Sequence, residues 1–363
     1  MHVVLAAGGT AGHIYPAINT AIAINEISPE TRITILGTHR GLDRELVPQS
    51  GFPLKLIDSV PFPRKVNVES LRFPFRMRAA VRQTKEFFKE ESVNVVVGFG
   101  GYASAPAYLA ARSLGLCMIV HEANSTAGLA NKLGARLTKN IALNYPGVLA
   151  GGRVIGMPLS PQMCDLDRGT SPEQGRSHFG LPPEGPTLLV FGGSQGAQSI
   201  NVAIGQALPE LVNAGISILH ATGQDKEIHV AETSSGHLSS AGIYRSAPFI
   251  DRMDLAYAAA DLSISRAGAM TVAEVSSVGI PSIFIPLPIG NGEQERNAET
   301  LVSSGAALIC ANSEFTSEWI RENVIPLILD RQRLQTMSHQ MRLHTSRDAA
   351  QKLARWALAC GRG

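Results

Sequence analysis

Two glycine-rich turns in the sequence have the composition of anion-binding sites. The first, Gly8–His13, reads GGTAGH, and the second, Gly192–Ala197, reads GGSQGA. Each comes after a short apolar run and precedes a helical pattern, so we expect free backbone N–H groups at a helix start, where they attract phosphate or developing negative charge. The first turn lacks the G-x-G-x-x-G spacing and the downstream acid of a nicotinamide dinucleotide site, which disfavours a dehydrogenase.

His13 is a candidate general base because it closes the first turn. The positive end of a helix lowers the pKa of an imidazole and favours the neutral form, which can accept a proton near pH 7. A positioned general base accelerates a reaction by roughly 10²–10⁴-fold. The alternative is a histidine that only caps the helix or packs against it.

Two further turns in the first half come after apolar runs that resemble strands. They are Val97–Tyr102, with the sequence VGFGGY, and His121–Asn124, with the sequence HEAN. Ligands of α/β proteins bind at the carboxyl ends of parallel strands, where both turns are expected to lie. Tight packing of strands against helices is the alternative explanation for their glycines.

In the second half, Ser265–Glu274 (SRAGAMTVAE) passes from a strand into a helix. Arg266 and the amides of Gly268–Thr271 have the chemistry to hold a diphosphate. Glu274, three residues after Thr271, falls on about the same helix face as Thr271. A carboxylate there can accept hydrogen bonds from both hydroxyls of a ribose. A solvated surface acid is the alternative. The amides and acids of the polar loop Gly290–Ala298 suit sugar hydroxyls.

The segment Pro61–Lys85 is strongly basic, with seven Lys and Arg residues against one acid, Glu69, and with interleaved Phe residues. This pattern favours the surface of an anionic membrane, at about 1 kcal/mol per basic residue. The net charge of +2 is too small for a generic nucleic-acid binder. A solvated helix face is the remaining alternative.

Other features predict neither a metal site nor a framework of disulfide bonds. Asp165–Asp167 has the D-x-D form of a metal site but lies in a presumed linker, and the four cysteines are dispersed, so we expect no disulfide framework and no cysteine zinc site. The start MHVVLAAGG predicts a first strand and not a signal peptide. Gly and Pro interrupt the longest uncharged stretches, so no transmembrane helix is expected.

Apolar runs that suit doubly buried strands alternate with helical patterns such as Ala17–Ile27 and Thr271–Val278. This alternation predicts an α/β fold with parallel sheets. A length of 363 residues and two similar turns 184 residues apart indicate two Rossmann-like domains, although any α/β protein can repeat such turns. The expected boundaries are residues 1–158 for the first domain, 159–345 for the second and 346–363 for a terminal amphipathic helix.

Several motifs together resemble the MurG family, the bacterial transferases that add N-acetylglucosamine (GlcNAc) to lipid I in peptidoglycan synthesis. They are GGTAGH, GFGGYASAP, HEAN with AGLANK, GGSQGAQSIN, FIDRM, SRAGAMTVAE and NGEQERNA. The resemblance implies the GT-B architecture, in which two Rossmann-like domains face a deep cleft. It assigns lipid I and the membrane to the N-terminal domain and UDP-GlcNAc to the C-terminal domain, with the terminal helix packing back toward the N-terminal domain.

The resemblance also implies roles for individual residues in an inverting transfer to the 4-hydroxyl of MurNAc, which turns lipid I into lipid II. His13 is the implied catalytic base. The implied contacts to UDP-GlcNAc are Thr10, Ala11, Gly12, His13, Asn124, Ser194, Gln195, Ile250, Arg266, Gly268, Ala269, Met270, Thr271, Glu274, Gln294 and Asn297. The implied acceptor turn is Gly100, Gly101 and Tyr102. The implied membrane-associating residues are Phe62, Arg64, Lys65, Phe73, Phe75, Arg76 and Arg78.

The partners that the resemblance implies are UDP-GlcNAc, lipid I, an anionic membrane surface and the cell-wall and division machinery, and nucleic acid is not among them. No cofactor is implied, and a non-essential divalent cation is left open. The implied location is peripheral, on the cytoplasmic face of the cell membrane. Alternatives are another GT-B transferase with a different acceptor, a UDP-GlcNAc epimerase and a non-catalytic nucleotide-binding module.

Overall fold

The computed structural model describes residues 1–62, 68–166, 168, 172–193, 196–224, 242–288 and 291–361. The chain divides into two compact units. The first consists of Met1–Ser160 together with Ser346–Gly363, and the second is Pro161–Thr345. Each unit has one parallel sheet with helices packed on it, which confirms the predicted α/β class.

The first unit contains seven described strands in the order β3-β2-β1-β4-β5-β6-β7, and all neighbours are parallel. Their bounds are β1 His2–Ala6, β2 Arg32–Thr38, β3 Leu54–Ile57, β4 Val95–Gly98, β5 Cys117–Glu122, β6 Ile141–Leu143 and β7 Arg153–Val154. The helices between them are α1 Ala11–Ile27, α2 Asp43–Gln49, α3 Val68–Glu90, α4 Gly101–Leu114 and α5 Leu129–Ala135.

The second unit has six described strands in the order β10-β9-β8-β11-β12-β13, again all parallel. They are β8 Thr187–Phe191, β9 Ser217–Ala221, β10 Tyr244–Ala247, β11 Leu262–Ser265, β12 Ser282–Phe284 and β13 Ala307–Ile309. Its helices are α6 Pro161–Cys164, α7 Pro172–His178, α8 Gln198–Asn213, α9 Met253–Ala259, α10 Ala269–Val278, α11 Glu293–Ser303, α12 Ser317–Trp319, α13 Ile325–Leu329 and α14 Arg331–Arg342, with a π-helical turn at Ile320–Val324.

The last helix, α15 Ala349–Cys360, belongs to the first unit. Its apolar stripe, which includes Leu353 and Ala357, joins α1 on one face of the first sheet, together with Val3 and Leu5 of β1. The alternate residues of β1 point to the opposite face, where they pack with α3 and α4. Consecutive apolar residues are therefore buried on both faces, as expected for a parallel sheet.

The structure differs from the sequence-based expectations at two places outside the sheets. Helix α1 begins at Ala11 rather than Ala17, so His13 lies in its first turn. Cys117 and Cys360 form a disulfide with their Cα atoms 6.0 Å apart, although no disulfide framework was expected. The two cysteines are 243 residues apart, and only the return of α15 to the first unit brings them together. Within the described ranges, no helix is both long and apolar enough to cross a bilayer.

Candidate functional site

The strand order places a switch point in each sheet, where the connections leave in opposite directions. It lies between β1 and β4 in the first unit and between β8 and β11 in the second. Ligands bind in the crevice at the carboxyl ends of such strand pairs. The turns Gly8–His13 and Gly98–Tyr102 flank the first switch point. The turn Ser265–Thr271 and the described residues that follow β8, namely Gly192, Gly193, Gly196 and Ala197, flank the second.

In the first unit, the two turns lie directly against each other. A Cβ atom on Gly101 would lie 2.2 Å from the carbonyl oxygen of Gly8, and one on Gly100 would lie 3.1 Å from Nε2 of His13. Gly100 and Gly101 have positive φ angles of 91° and 75°. These glycines therefore allow the two turns to pack closely, as the tight-packing alternative expects. The close packing also places His13 beside the acceptor turn predicted at Gly100–Tyr102.

His13 is held in the first turn of α1 with its Nδ1 atom 3.0 Å from the hydroxyl oxygen of Thr10. Burial lowers the pKa of His13 below its ordinary value, although a backbone hydrogen bond at Gly8 opposes the shift. The imidazole is therefore neutral near pH 7. Thr10 and the Gly8 backbone orient the ring, and a neutral imidazole has one ring nitrogen that can take a proton, as a general base requires.

A residue that the sequence analysis missed fixes the first turn. Asp43, in the first turn of α2, is completely buried, and its Oδ2 atom accepts a hydrogen bond of 2.9 Å from the backbone N–H of Gly9. Its Oδ1 atom has no hydrogen-bond partner among the described residues. Burial raises the pKa of Asp43, and backbone hydrogen bonds oppose the shift. In the sequence, Asp43 looks like any acid at the start of a surface helix.

The HEAN turn depends on a second buried carboxylate. Glu122 accepts hydrogen bonds from the backbone N–H groups of Asn124 (2.9 Å) and Gly128 (3.0 Å) and from Nδ2 of Asn131 (2.9 Å). The hydroxyl of Tyr108 donates to Oδ1 of Asn131 at 2.7 Å. Burial raises the pKa of Glu122, and the hydrogen bonds counteract the rise. Glu122 thus shapes the turn that presents Asn124, a role that the motif alone did not reveal.

In the second unit, the turn predicted to bind the diphosphate runs into α10, with Gly268 directly before its first residue. Glu274, in the second turn of α10, accepts a hydrogen bond of 3.0 Å at Oε2 from the hydroxyl of Tyr257. Burial raises the pKa of Glu274 to about 7. Glu274 is thus a half-buried carboxyl beside a helix start and not a solvated surface acid.

Arg266 is engaged with its own unit. Its guanidinium donates to the carbonyl oxygens of Ile285 (2.9 Å) and Pro286 (3.1 Å), to Oδ1 of Asn312 (2.7 Å) and to the hydroxyl of Ser199 (3.0 Å). These bonds tie the end of β11 to the residues after β12 and to α8. Arg266 therefore shapes the strand ends around the turn, and its contact with a phosphate stays a prediction.

The remaining predicted donor contacts differ in exposure. Asn297 is 1% exposed and donates from Nδ2 to the carbonyl oxygen of Ala267, so it supports the turn before α10. Gln294 is half-buried, and its Oε1 accepts a hydrogen bond from the backbone N–H of Leu287. Ile250 is buried, and its contact with the donor stays a prediction. Ser194 and Gln195 lie outside the described residues.

The predicted membrane-associating residues fall into two groups. The rings of Phe62 and Phe73 lie 5.4 Å apart and pack against a small buried cluster around Met77, so both are half-buried. In contrast, Phe75 is 78% exposed on α3. Exposed arginines surround it on the same helix, namely Arg72, Arg76, Arg78 and Arg82. Arg64 and Lys65 lie outside the described residues.

No group of three or more His, Cys, Asp or Glu side chains that could hold a metal ion occurs in the described part of the chain. The candidate groups of the first unit are instead helix starts, one histidine and two buried carboxyl groups, and those of the second unit are a helix start and one half-buried carboxyl group. Such groups can bind a diphosphate sugar and move a proton.

Comparison with known proteins identifies the family. Residues 3–143 match the model of the glycosyltransferase family 28 N-terminal domain, and residues 187–353 match that of its C-terminal domain. The chain is 48% identical to a protein from Nocardia farcinica, with 100% of this chain and 96% of the relative covered, and 48% identical to one from Saccharopolyspora erythraea, with 98% and 93% covered. Both are named UDP-N-acetylglucosamine–N-acetylmuramyl-(pentapeptide) pyrophosphoryl-undecaprenol N-acetylglucosamine transferase.

Solved structures agree with this assignment. MurG from Acinetobacter baumannii has a TM-score of 0.78 at 29% identity, with 99% of each chain covered. A UDP-GlcNAc 2-epimerase from Neisseria meningitidis has a TM-score of 0.70 at 12% identity, with 99% of this chain and 100% of the epimerase covered, which shows a shared fold alone. The predicted GT-B architecture is confirmed, and the chain belongs to the MurG family of glycosyltransferases.

Proposed function

We propose that this chain transfers GlcNAc from UDP-GlcNAc to the 4-hydroxyl of MurNAc in lipid I, which gives lipid II for peptidoglycan synthesis. The observation that carries the proposal is 48% identity, over the whole chain, to relatives named for this transfer. The paired switch-point turns and the carboxyl of Glu274 supply the chemistry that it needs. We assign lipid I to the first unit and UDP-GlcNAc to the second.

In the proposed reaction, Nε2 of His13 takes the proton from the acceptor hydroxyl. The resulting oxygen nucleophile attacks the anomeric carbon of GlcNAc, the bond from that carbon to the diphosphate breaks, and UDP leaves with the bonding electrons. Attack opposite the leaving group inverts the α-linked donor to a β-1,4 product. The helix start at Gly268–Thr271 stabilises the negative charge that develops on the diphosphate.

We further propose that the protein is peripheral on the cytoplasmic face of the cell membrane, where lipid I would be presented. The support is the exposed face of α3, where Phe75 lies among four exposed arginines. Each such arginine contributes about 1 kcal/mol of attraction to an anionic surface. Association with the cell-wall and division machinery is part of the same proposal.

The test combines the purified full-length protein, radiolabelled UDP-GlcNAc and a lipid I analogue with a shortened prenyl chain. We expect labelled disaccharide lipid and UDP to form in equal amounts. A reaction without acceptor is the control, since conversion of UDP-GlcNAc there would indicate an epimerase. Transfer only to an unrelated acceptor would indicate another GT-B activity, and binding of UDP-GlcNAc without turnover would indicate a binding module. Each of these results would contradict the proposal.

A further inference from the structure

Tyr257 is a buried titratable residue to which neither the motifs nor the proposed reaction assigns a role. It lies on α9 with no exposed surface, and its ring packs edge-on against Phe191 of β8, with 6.0 Å between the ring centroids. Its hydroxyl donates to Oε2 of Glu274 at 3.0 Å. Among the described residues, this hydroxyl is the one hydrogen-bond partner of the Glu274 carboxyl.

We propose that Tyr257 is a positioning residue for the nucleotide sugar: it holds one oxygen of Glu274, so that the other oxygen is presented to the ribose hydroxyls of the donor. The inference rests on the proposed function, because it takes Glu274 to be the residue that grips the ribose. It adds a second residue that acts on the donor only through Glu274.

The packing of Tyr257 explains why it can hold a flexible side chain. A glutamate has several rotatable bonds, and ordering them on binding costs entropy. The Tyr257 ring is fixed by its burial against β8, so its hydroxyl fixes the Glu274 carboxyl before the ligand arrives. Preorganisation of this kind raises affinity without adding a contact to the ligand.

The same hydrogen bond acts on the charge of Glu274. Burial raises the pKa of Glu274 to about 7, whereas the hydrogen bond from Tyr257 opposes the rise. Within the described ranges, no charged side chain contributes to this shift. Burial and the neighbouring carboxylate raise the pKa of Tyr257, so its hydroxyl stays protonated and remains a donor.

The affinity for the donor should therefore depend on pH. Only the ionised carboxylate can accept hydrogen bonds from both ribose hydroxyls with its full charge, so donor affinity should fall as the pH drops through about 7. Without the Tyr257 hydroxyl, the pKa of Glu274 is higher, and the fall should begin at a higher pH.

The experiment is calorimetric titration of the full-length protein with UDP, from pH 6 to 8.5, for the wild type, Tyr257→Phe, Glu274→Ala and the double variant. We expect Tyr257→Phe to bind UDP roughly three- to tenfold more weakly than the wild type, with its pH profile moved upward. In the Glu274→Ala background, which leaves the Tyr257 hydroxyl no carboxyl to hold, Tyr257→Phe should cause no further loss of UDP affinity.

The matched control is Tyr244→Phe, which also removes one tyrosine hydroxyl from the second unit. That hydroxyl lies 3.2 Å from Nδ1 of the buried His220 and not near Glu274. We expect its UDP affinity and pH profile to equal those of the wild type. Thermal unfolding checks that each variant is folded, and titration at a reduced temperature keeps the comparison available for a variant that is only destabilised.

Unchanged UDP affinity in Tyr257→Phe would overturn the inference. So would an equal loss in the wild-type and Glu274→Ala backgrounds, since it would show that Tyr257 acts independently of Glu274. Failure of the proposed function gives a different result: the wild type would either not bind UDP at all, or bind UDP and fail to glycosylate the lipid I analogue. The latter outcome leaves the four titrations valid as a test of Tyr257.

Discussion

The carboxyl groups beside the two switch points are used in different ways. In the first unit, the buried Asp43 and Glu122 accept hydrogen bonds from backbone N–H groups of the turns they support. In the second unit, the half-buried Glu274 accepts one hydrogen bond, from the side chain of Tyr257. A carboxylate has about four acceptor positions, so Glu274 has accessible capacity left for a ligand, whereas burial confines the two acids of the first unit to supporting the chain.

The largest effect is expected at the histidine that the first unit positions. His13→Ala should lower kcat by at least tenfold, and by up to roughly 10³-fold, because the acceptor hydroxyl loses its base. UDP affinity should be nearly unchanged, since Glu274 and the α10 helix start are intact. Steady-state kinetics and UDP titration measure the two quantities. Full activity in this variant would exclude His13 as the base.

Replacing the buried acids separates structural from ligand-binding carboxylates. Glu122→Ala should lower the free energy of unfolding by about 3 kcal/mol, because three donors lose their acceptor. Glu274→Ala should lower it by less than about 1 kcal/mol, because a single hydroxyl loses its partner, but should weaken UDP binding. Urea denaturation of both variants is the measurement. An equal loss in the free energy of unfolding for Glu122→Ala and Glu274→Ala would contradict the distinction between a structural and a ligand-binding carboxylate.

Asp43 offers a matched pair of substitutions. Asp43→Asn keeps an acceptor for the Gly9 N–H, whereas Asp43→Ala removes it and releases the turn that carries His13. We expect kcat to fall roughly tenfold in Asp43→Ala, since small misplacements of catalytic groups are costly, and to stay within about threefold of the wild type in Asp43→Asn. The KM for UDP-GlcNAc should not change in either variant. A raised KM for the donor would contradict this expectation and would show that the turn Thr10–His13 also contacts UDP-GlcNAc, as the resemblance implies.

The smallest effect concerns the exposed face of α3. Arg78→Ala should weaken binding to anionic vesicles about fivefold, the loss expected for about 1 kcal/mol of surface attraction. Arg333→Ala, which removes an exposed arginine from the second unit, is the control and should have no effect. Co-sedimentation with anionic and neutral vesicles gives the measurement. Equal losses for both variants would show that the attraction depends on net charge alone.

The parts of the molecule that obey a local pattern could be predicted from the sequence. Runs of consecutive apolar residues predicted the buried parallel strands, and the glycine-rich turns predicted the helix starts at the strand ends. The sequence did not reveal the roles of Asp43, Glu122 and Tyr257. Their roles depend on hydrogen bonds to residues distant in the sequence or to backbone N–H groups, and residue types alone do not show such bonds.

Polar residues at strand ends pose a related difficulty. Arg266 and Asn297 are of types that bind phosphates and sugars, yet in the structure both hydrogen-bond to carbonyl oxygens of their own unit. Whether such a side chain faces a ligand or the backbone depends on the path of the next loop. The Cys117–Cys360 pair depends likewise on where the final helix packs.

The placement of α15 bears on how the polypeptide reaches its native state. The N-terminal unit takes part of its core, including Leu353 and Ala357, from residues that are synthesised only after the whole second unit. Domains generally fold in the order in which they are synthesised, but here the unit that is translated first is the last to be completed. Until then, the part of its sheet that α15 covers beside α1 stays exposed, whereas the second unit has already been synthesised in full.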